Sequence, residues 1–192
     1  MTNSSYNTNA YNANYSNQKP SYCFDLSDVP SQDEYEIIPD GTIVKVNMTI
    51  TRGGYDDLAR GWDGGIVTKN LSGSCYLKVK FKVLDGEFKG RQILGLIGLH
   101  SNKGPEYENM GKSFMKTILE SAHGISSKDK SEEANKLRVL RSLADLDNIH
   151  FVAKVSVGEN AQGNPKNEIK YAITVDNPNY IKVEQKSEEE PF

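Results

Sequence analysis

A mainly β fold, a five-stranded barrel with helical material between its third and fourth strands, is what this sequence predicts. Three observations carry that expectation. Apolar and polar residues alternate over four short runs, and a fifth run is apolar throughout. Gly-, Asn- and Asp-rich stretches separate the runs. Helical spacing of apolar residues occurs only between the third run and the fourth.

The first run, "TIVKVNMTIT", places Val44, Val46, Met48 and Ile50 on one face and Lys45, Asn47, Thr49 and Thr51 on the other. That is the signature of a half-buried strand. The glycine-rich stretch "RGGYDDLARGWDGG" then predicts a mobile loop carrying Tyr55 and an exposed Trp62, the only tryptophan. In "SCYLKVKFKVL" an apolar face of Cys75, Leu77, Val79, Phe81 and Val83 alternates with Tyr76, Lys78, Lys80 and Lys82. "DGEFKG" supplies a turn through Asp85-Gly86. "RQILGLIGL" is a third strand, apolar on both faces, with Gly95 and Gly98 permitting a bend or a close approach.

Helical spacing follows in "NMGKSFMKTILESAHG", with Met110, Phe114, Ile118 and Leu119 on one side and Gly124 as the stop. "SEEANKLRVLRSLADL" predicts a second helix, N-capped by Ser131, with Leu137, Leu140 and Ala144 inward. "IHFVAKVSV" turns Phe151, Ala153, Val155 and Val157 inward; "EIKYAITV" does the same with Ile169, Tyr171, Ile173 and Val175. Five strands with helices between the third and fourth is the chain order of an OB-fold barrel.

The organisation expected is a disordered Asn/Ser/Tyr-rich tail over 1–20, an edge-packing segment over 21–40, a domain over 41–183 and an acidic tail over 184–192. The formal net charge of −3 hides a partition, since residues 1–40 sum to −5, residues 184–192 to −3 and the body to +5. A basic body attracts polyanions, and tethered acidic ends can compete for the same surface. No apolar run is long enough to span a membrane, and the N-terminus lacks the basic and apolar regions of a secretory signal. With Cys23 and Cys75 forming no metal or disulfide framework, a cytoplasmic protein with reduced thiols is expected.

Enzyme signals are weak. His100, His123 and His150 lack metal-ligand spacing. Gly111-Lys112-Ser113 resembles the end of a P-loop, but Glu106 stands where that motif needs glycine. Asp56, Asp57 and Asp63 read as a solvated loop. No catalytic constellation, metal or cofactor is therefore expected.

Binding signals are stronger. Single-stranded nucleic acid is held by a basic groove along its phosphates and by aromatic rings on which bases stack. Tyr76 with Lys78, Lys80 and Lys82 offers both on one strand face. Lys45, Lys69, Arg91 and Lys154 join them, and Arg52, Tyr55, Arg60 and Trp62 project from the loop that borders the ligand face of such barrels. A protein-binding adaptor on the same barrel is the alternative, with the lysines merely solubilising; a metal-dependent nuclease or annealing accessory is a third class, which the missing ligand cluster disfavours.

Three stretches, "IPDGTIVKVNMTIT", "TKNLSGSCYLKVKFKVLDGEFKGRQI" and "GNPKNEIKYAI", resemble a family of phage-encoded single-stranded DNA-binding proteins. The shared features are Pro39 and Gly41, Thr68 and Lys69, the hairpin from Val83 to Gly90-Arg91, and Gly163 with Asn167. The likeness covers about residues 37–176; the long N-terminus and "SSKDKSEEANKLRVLRSLADL" depart from it, and the loop holding Trp62 is longer. Separately, the ending Glu188, Glu189, Glu190, Pro191 and Phe192 is similar to the acidic tip of bacterial single-stranded DNA-binding proteins. These resemblances imply an OB fold that coats single strands during phage or prophage replication and recombination. They also imply a tip that recruits replication or repair partners. Homo-oligomers are compatible with both.

Overall fold

The computed structural model describes residues 36–185, and the expectations for 1–35 and for the acidic tip lie outside those residues. Seven strands form one curled antiparallel sheet: β1 (Ile43–Thr51), β2 (Tyr55–Asp57), β3 (Trp62–Lys69), β4 (Cys75–Val83), β5 (Gln92–His100), β6 (Ile149–Glu159) and β7 (Pro165–Ala172). Their order is β2-β3-β4-β1-β6-β7, with β5 on the other edge of β4. Helix α1 (Glu106–His123) and a short α2 (Glu132–Leu137) lie between β5 and β6. The mainly β class and the placement of the helices thus follow the sequence pattern, in a half-barrel with two strands more than expected.

Alternation drives the sheet. Val44, Val46 and Met48 of β1, all five apolar alternates of β4, and Phe151, Ala153 and Val155 of β6 are buried in a single core. The rings of Phe114 and Phe151 meet Phe81 edge-on, at centroid distances of 6.4 and 5.9 Å. Ile38, 1% exposed, joins the same core from the start of the described chain. Asn167 fixes it there, accepting from the Ile38 backbone N–H at 3.0 Å and donating to its carbonyl at 2.8 Å.

Helix α1 seals the core with Gly111, Met115, Ile118, Leu119 and Ala122, not with Met110, which is exposed. Phe114, Ile118 and Leu119 of the expected face do pack against the core; Met110 alone is displaced, because the helix seats on β5 through Gly111. A Cβ on Gly111 would lie 1.8 Å from the Gly98 carbonyl oxygen, so only hydrogen fits there. Gly124 ends the helix in the left-handed conformation, as expected.

The second helix is shorter than the sequence pattern suggests. Ser131 caps it, its hydroxyl accepting from the Ala134 N–H at 3.2 Å. It stops after Leu137, and a 3-10 turn over Leu143–Leu146 starts afresh from a Ser142/Asp145 capping box. Two starts in one stretch divide it. Leu137 and Ala144 consequently face outward, whereas Leu146 is buried.

Four further expectations are corrected. The glycine-rich stretch is a β2–β3 hairpin, with Gly53 and Gly54 both donating to the Gly65 carbonyl. Its Trp62 is 8% exposed and belongs to the core. In β7 the inward phase falls on Ala172, so Tyr171 faces outward; the β6–β7 register shifts between Lys154 and Val155. Val157, near the end of β6, is 39% exposed, because β7 there offers it only exposed or half-buried neighbours. Beyond β7 the chain returns across the opposite side of β6, where Val152, Ile173 and Val183 form a small second core with Ile43 and Tyr180.

Candidate nucleic-acid interface

The outer face of β4 carries Tyr76, Lys78, Lys80 and Lys82, and the ladders on either side decide what surrounds them. Toward β1, Lys78, Lys80 and Lys82 stand opposite Thr51, Thr49 and Asn47. Toward β5, the same three lysines stand opposite Leu96, Leu94 and Gln92. One flank is therefore polar, and the other is apolar beside Lys78 and Lys80, with Leu94 at 69% and Leu96 at 61% exposure. Alternate residues on a strand are about 6.7 Å apart, so the ammonium groups form an even row. None of the three lysine side chains makes an ion pair or hydrogen bond among the described residues. Their charge is available to a ligand.

Lys45 continues this face on β1 but is paired with Asp85 at 3.3 Å. Lys154, on β6, stands opposite Ile43 and Tyr171. Its Nζ sits 5.9 Å from the Tyr171 ring centroid, a loose cation–π pair on the outer side of the sheet. Arg91 donates to the Glu36 carbonyl beside the β4–β5 turn. It thus holds the start of the described chain.

The expected hairpin residues assemble elsewhere. Tyr55, Arg60, Trp62 and Lys69 line a narrow cleft of about 220 Å³ with Cys75 and His100. Lys69 lies 4.6 Å over the Tyr55 ring and Arg60 lies 5.3 Å over Trp62. Arg60 also pairs with Asp57 at 3.4 Å. Lys69 stands opposite Cys75, an inward position, whereas Thr68 stands opposite the outward Tyr76. This group therefore belongs to the other side of the sheet from the lysine row. Burial pushes the Cys75 thiol above its ordinary pKa, with Lys69 and Arg60 opposing. Arg52 donates weakly to the Gly64 carbonyl at 3.4 Å.

A cleft of about 920 Å³ adjoins Asn47 and is walled by Leu119, Val139, Leu140 and Arg141. The Asn47 side-chain oxygen is buried with no partner among the described residues. The wall is fixed by Arg138, whose Nε donates to the buried Glu120 carboxylate at 2.8 Å. Its two other nitrogens donate to the carbonyls of Asp129 and Ser126 at 2.7 and 2.8 Å.

Leu94, Leu96 and Tyr107 are the face residues that sequence reasoning missed. The run "RQILGLIGL" did signal apolar residues on both faces, but not which of them would stay uncovered. Among the described residues, no three His, Cys, Asp or Glu side chains are grouped to hold a metal ion, and no helix is long and apolar enough to cross a membrane. No protein-family model matches the chain, and no curated protein matches it.

Proposed function

We propose that this chain binds single-stranded DNA across the outer face of β4, β1 and β5. The observation that carries the reading is the Lys78, Lys80, Lys82 row, unpaired among the described residues, with a polar flank on β1 and exposed leucines on β5. Phosphates lie along the lysines and bases turn toward Leu94 and Leu96, with Tyr76 as a stacking ring. Such contacts tolerate any sequence, because every base has a π-face and every nucleotide a phosphate. The half-barrel is read as an OB fold, in which this sheet face is the usual ligand surface. On this reading the protein coats and protects single strands in the cytoplasm during phage or prophage replication and recombination. Glu188 to Phe192 then serve as a docking tip for partner proteins, and no cofactor is needed.

The exposed Leu94 and Leu96 pair supports a second reading, an adaptor whose basic-apolar face docks another protein. Fluorescence anisotropy of a labelled dT oligomer, at low and high salt, with the full chain and with one lacking its last seven residues, separates the two. Salt-sensitive binding by both chains supports the DNA reading. No binding by either at low salt overturns it and favours the adaptor.

A further inference from the structure

The lysine face ends against the start of helix α1, and the junction is built in an unusual way. Gly98 stands opposite Tyr76 in the β4–β5 ladder, just beyond an irregularity at Cys75. A Cβ on Gly98 would lie 2.8 Å from two ring carbons of Tyr107 and 2.6 Å from its backbone oxygen. The Tyr107 ring thus occupies the space above β5 that a side chain at 98 would fill. The backbone contact between Gly111 and Gly98 fixes the helix, and with it the ring, in this position.

Between these elements lies a cleft of about 450 Å³, walled by Tyr76, Leu96 and Tyr107, with Asn70, Lys103 and Glu106 at its rim. That is within the ordinary range for small-ligand sites, about 300–1,000 Å³. Leu96, the outermost residue of the apolar flank, forms part of the wall, so the base side of the proposed track runs straight into the cleft. The rim carries one cation and one anion, which suits an uncharged ligand group better than a phosphate. Burial, and to a lesser degree the nearby Tyr76, raise the Tyr107 phenol above its ordinary pKa.

We infer that this cleft receives one nucleobase of the bound strand, with Tyr107 as a second stacking ring beside Tyr76. The inference rests on the DNA-binding reading. Lys78, opposite Leu96, holds the adjoining phosphate, while the base leaves the track over Leu94 and Leu96 and enters between the two tyrosines. Asn70, at the rim, can meet its edge through its amide.

The test compares the full-length wild type with Tyr107→Leu and Tyr107→Phe. Each is titrated against a dT oligomer and against an abasic oligomer of the same length. Tyr107→Leu is expected to lose roughly tenfold in affinity for dT, the scale of one lost stacked base. On the abasic strand it should match the wild type, and Tyr107→Phe should match it on both. Equal affinity of Tyr107→Leu and wild type for dT, or an equal loss on both strands, would overturn the base site while leaving the DNA reading intact. No binding of dT by the wild type would remove the DNA reading, and the base site with it. Photocrosslinking of a 5-iododeoxyuridine oligomer to the wild type needs no variant: adducts on Tyr107 or Tyr76 support the site, and adducts confined to other residues overturn it.

Discussion

Lys80 and Leu94 stand directly opposite each other on the outer face of the sheet, an ammonium group beside an uncovered leucine. A lysine row alone is an ordinary solvated surface. A lysine row with exposed leucines on one flank and threonines on the other has sides, and a strand of nucleic acid has sides too. Replacing Leu94 with serine should therefore weaken oligomer binding a few-fold. Because Leu94 is 69% exposed, its stability should change by no more than about 0.5 kcal/mol, the usual scale for surface sites. Anisotropy and thermal melting of the same variant check both halves.

Trp62 makes the opposite prediction. At 8% exposure, with Arg60 over its ring, it is a core residue of the β2–β3 hairpin. Trp62→Ala should cost about 3–5 kcal/mol in urea denaturation, as large aromatic truncations in cores do. A loss below about 1 kcal/mol would show that the ring is dispensable for packing and would restore it as a candidate stacking platform.

Arg138 and Glu120 hold the segment between α1 and β6 against helix α1. Their side chains are 9% and 3% exposed, and each guanidinium nitrogen donates to a carboxylate or carbonyl oxygen. Removing Arg138 leaves the buried Glu120 carboxylate, among the described residues, with only the half-exposed Lys116, 3.8 Å away. Arg138→Ala should accordingly destabilise the fold by about 3–5 kcal/mol, whereas a surface pair would cost about 1 kcal/mol or less. Chemical denaturation separates the two values.

The strands were legible where alternation was strict and one side faced the core. In Ile43–Thr51 and Cys75–Val83 every second residue is apolar, so composition alone determines which face is buried. Ser131 and Gly124 were legible for a different reason, since capping chemistry is local. What failed was whatever depended on distant partners. The β2–β3 hairpin is hidden by its glycines, yet Gly53 is glycine because a Cβ there would lie 2.1 Å from the Thr68 hydroxyl oxygen. Tyr171 lies out of phase because of a register shift that no periodicity announces. Tyr107 was passed over as part of a failed P-loop match, and its place follows from two glycines thirteen residues apart.

Asp176 supplies a pH dependence. Its carboxylate accepts from the Ser126 hydroxyl at 2.6 Å, and from the Ser127 N–H and hydroxyl at 2.8 and 2.7 Å. These hydrogen bonds, the Ser126 hydroxyl foremost, hold its pKa below the ordinary 3.8. Between the two values the unfolded chain binds more protons than the folded one, so stability rises with pH through that window. The contribution is complete above 3.8 and is lost as the pH falls through the lower folded-state value. Asp176→Asn should flatten this part of the acid limb, measured as urea midpoints from about pH 2 to pH 6. An unchanged pH profile would show that these bonds do not favour the ionised form.

The central claim is that Lys78, Lys80 and Lys82 are the phosphate track. It is tested most directly by the slope of log affinity against log salt for a dT oligomer, in the wild type and in the triple alanine variant. Each phosphate contact on a single strand contributes about 0.7 to that slope. The account predicts a slope shallower by about 2 in the variant, with an unchanged melting temperature. Equal slopes would place the phosphates elsewhere and contradict it.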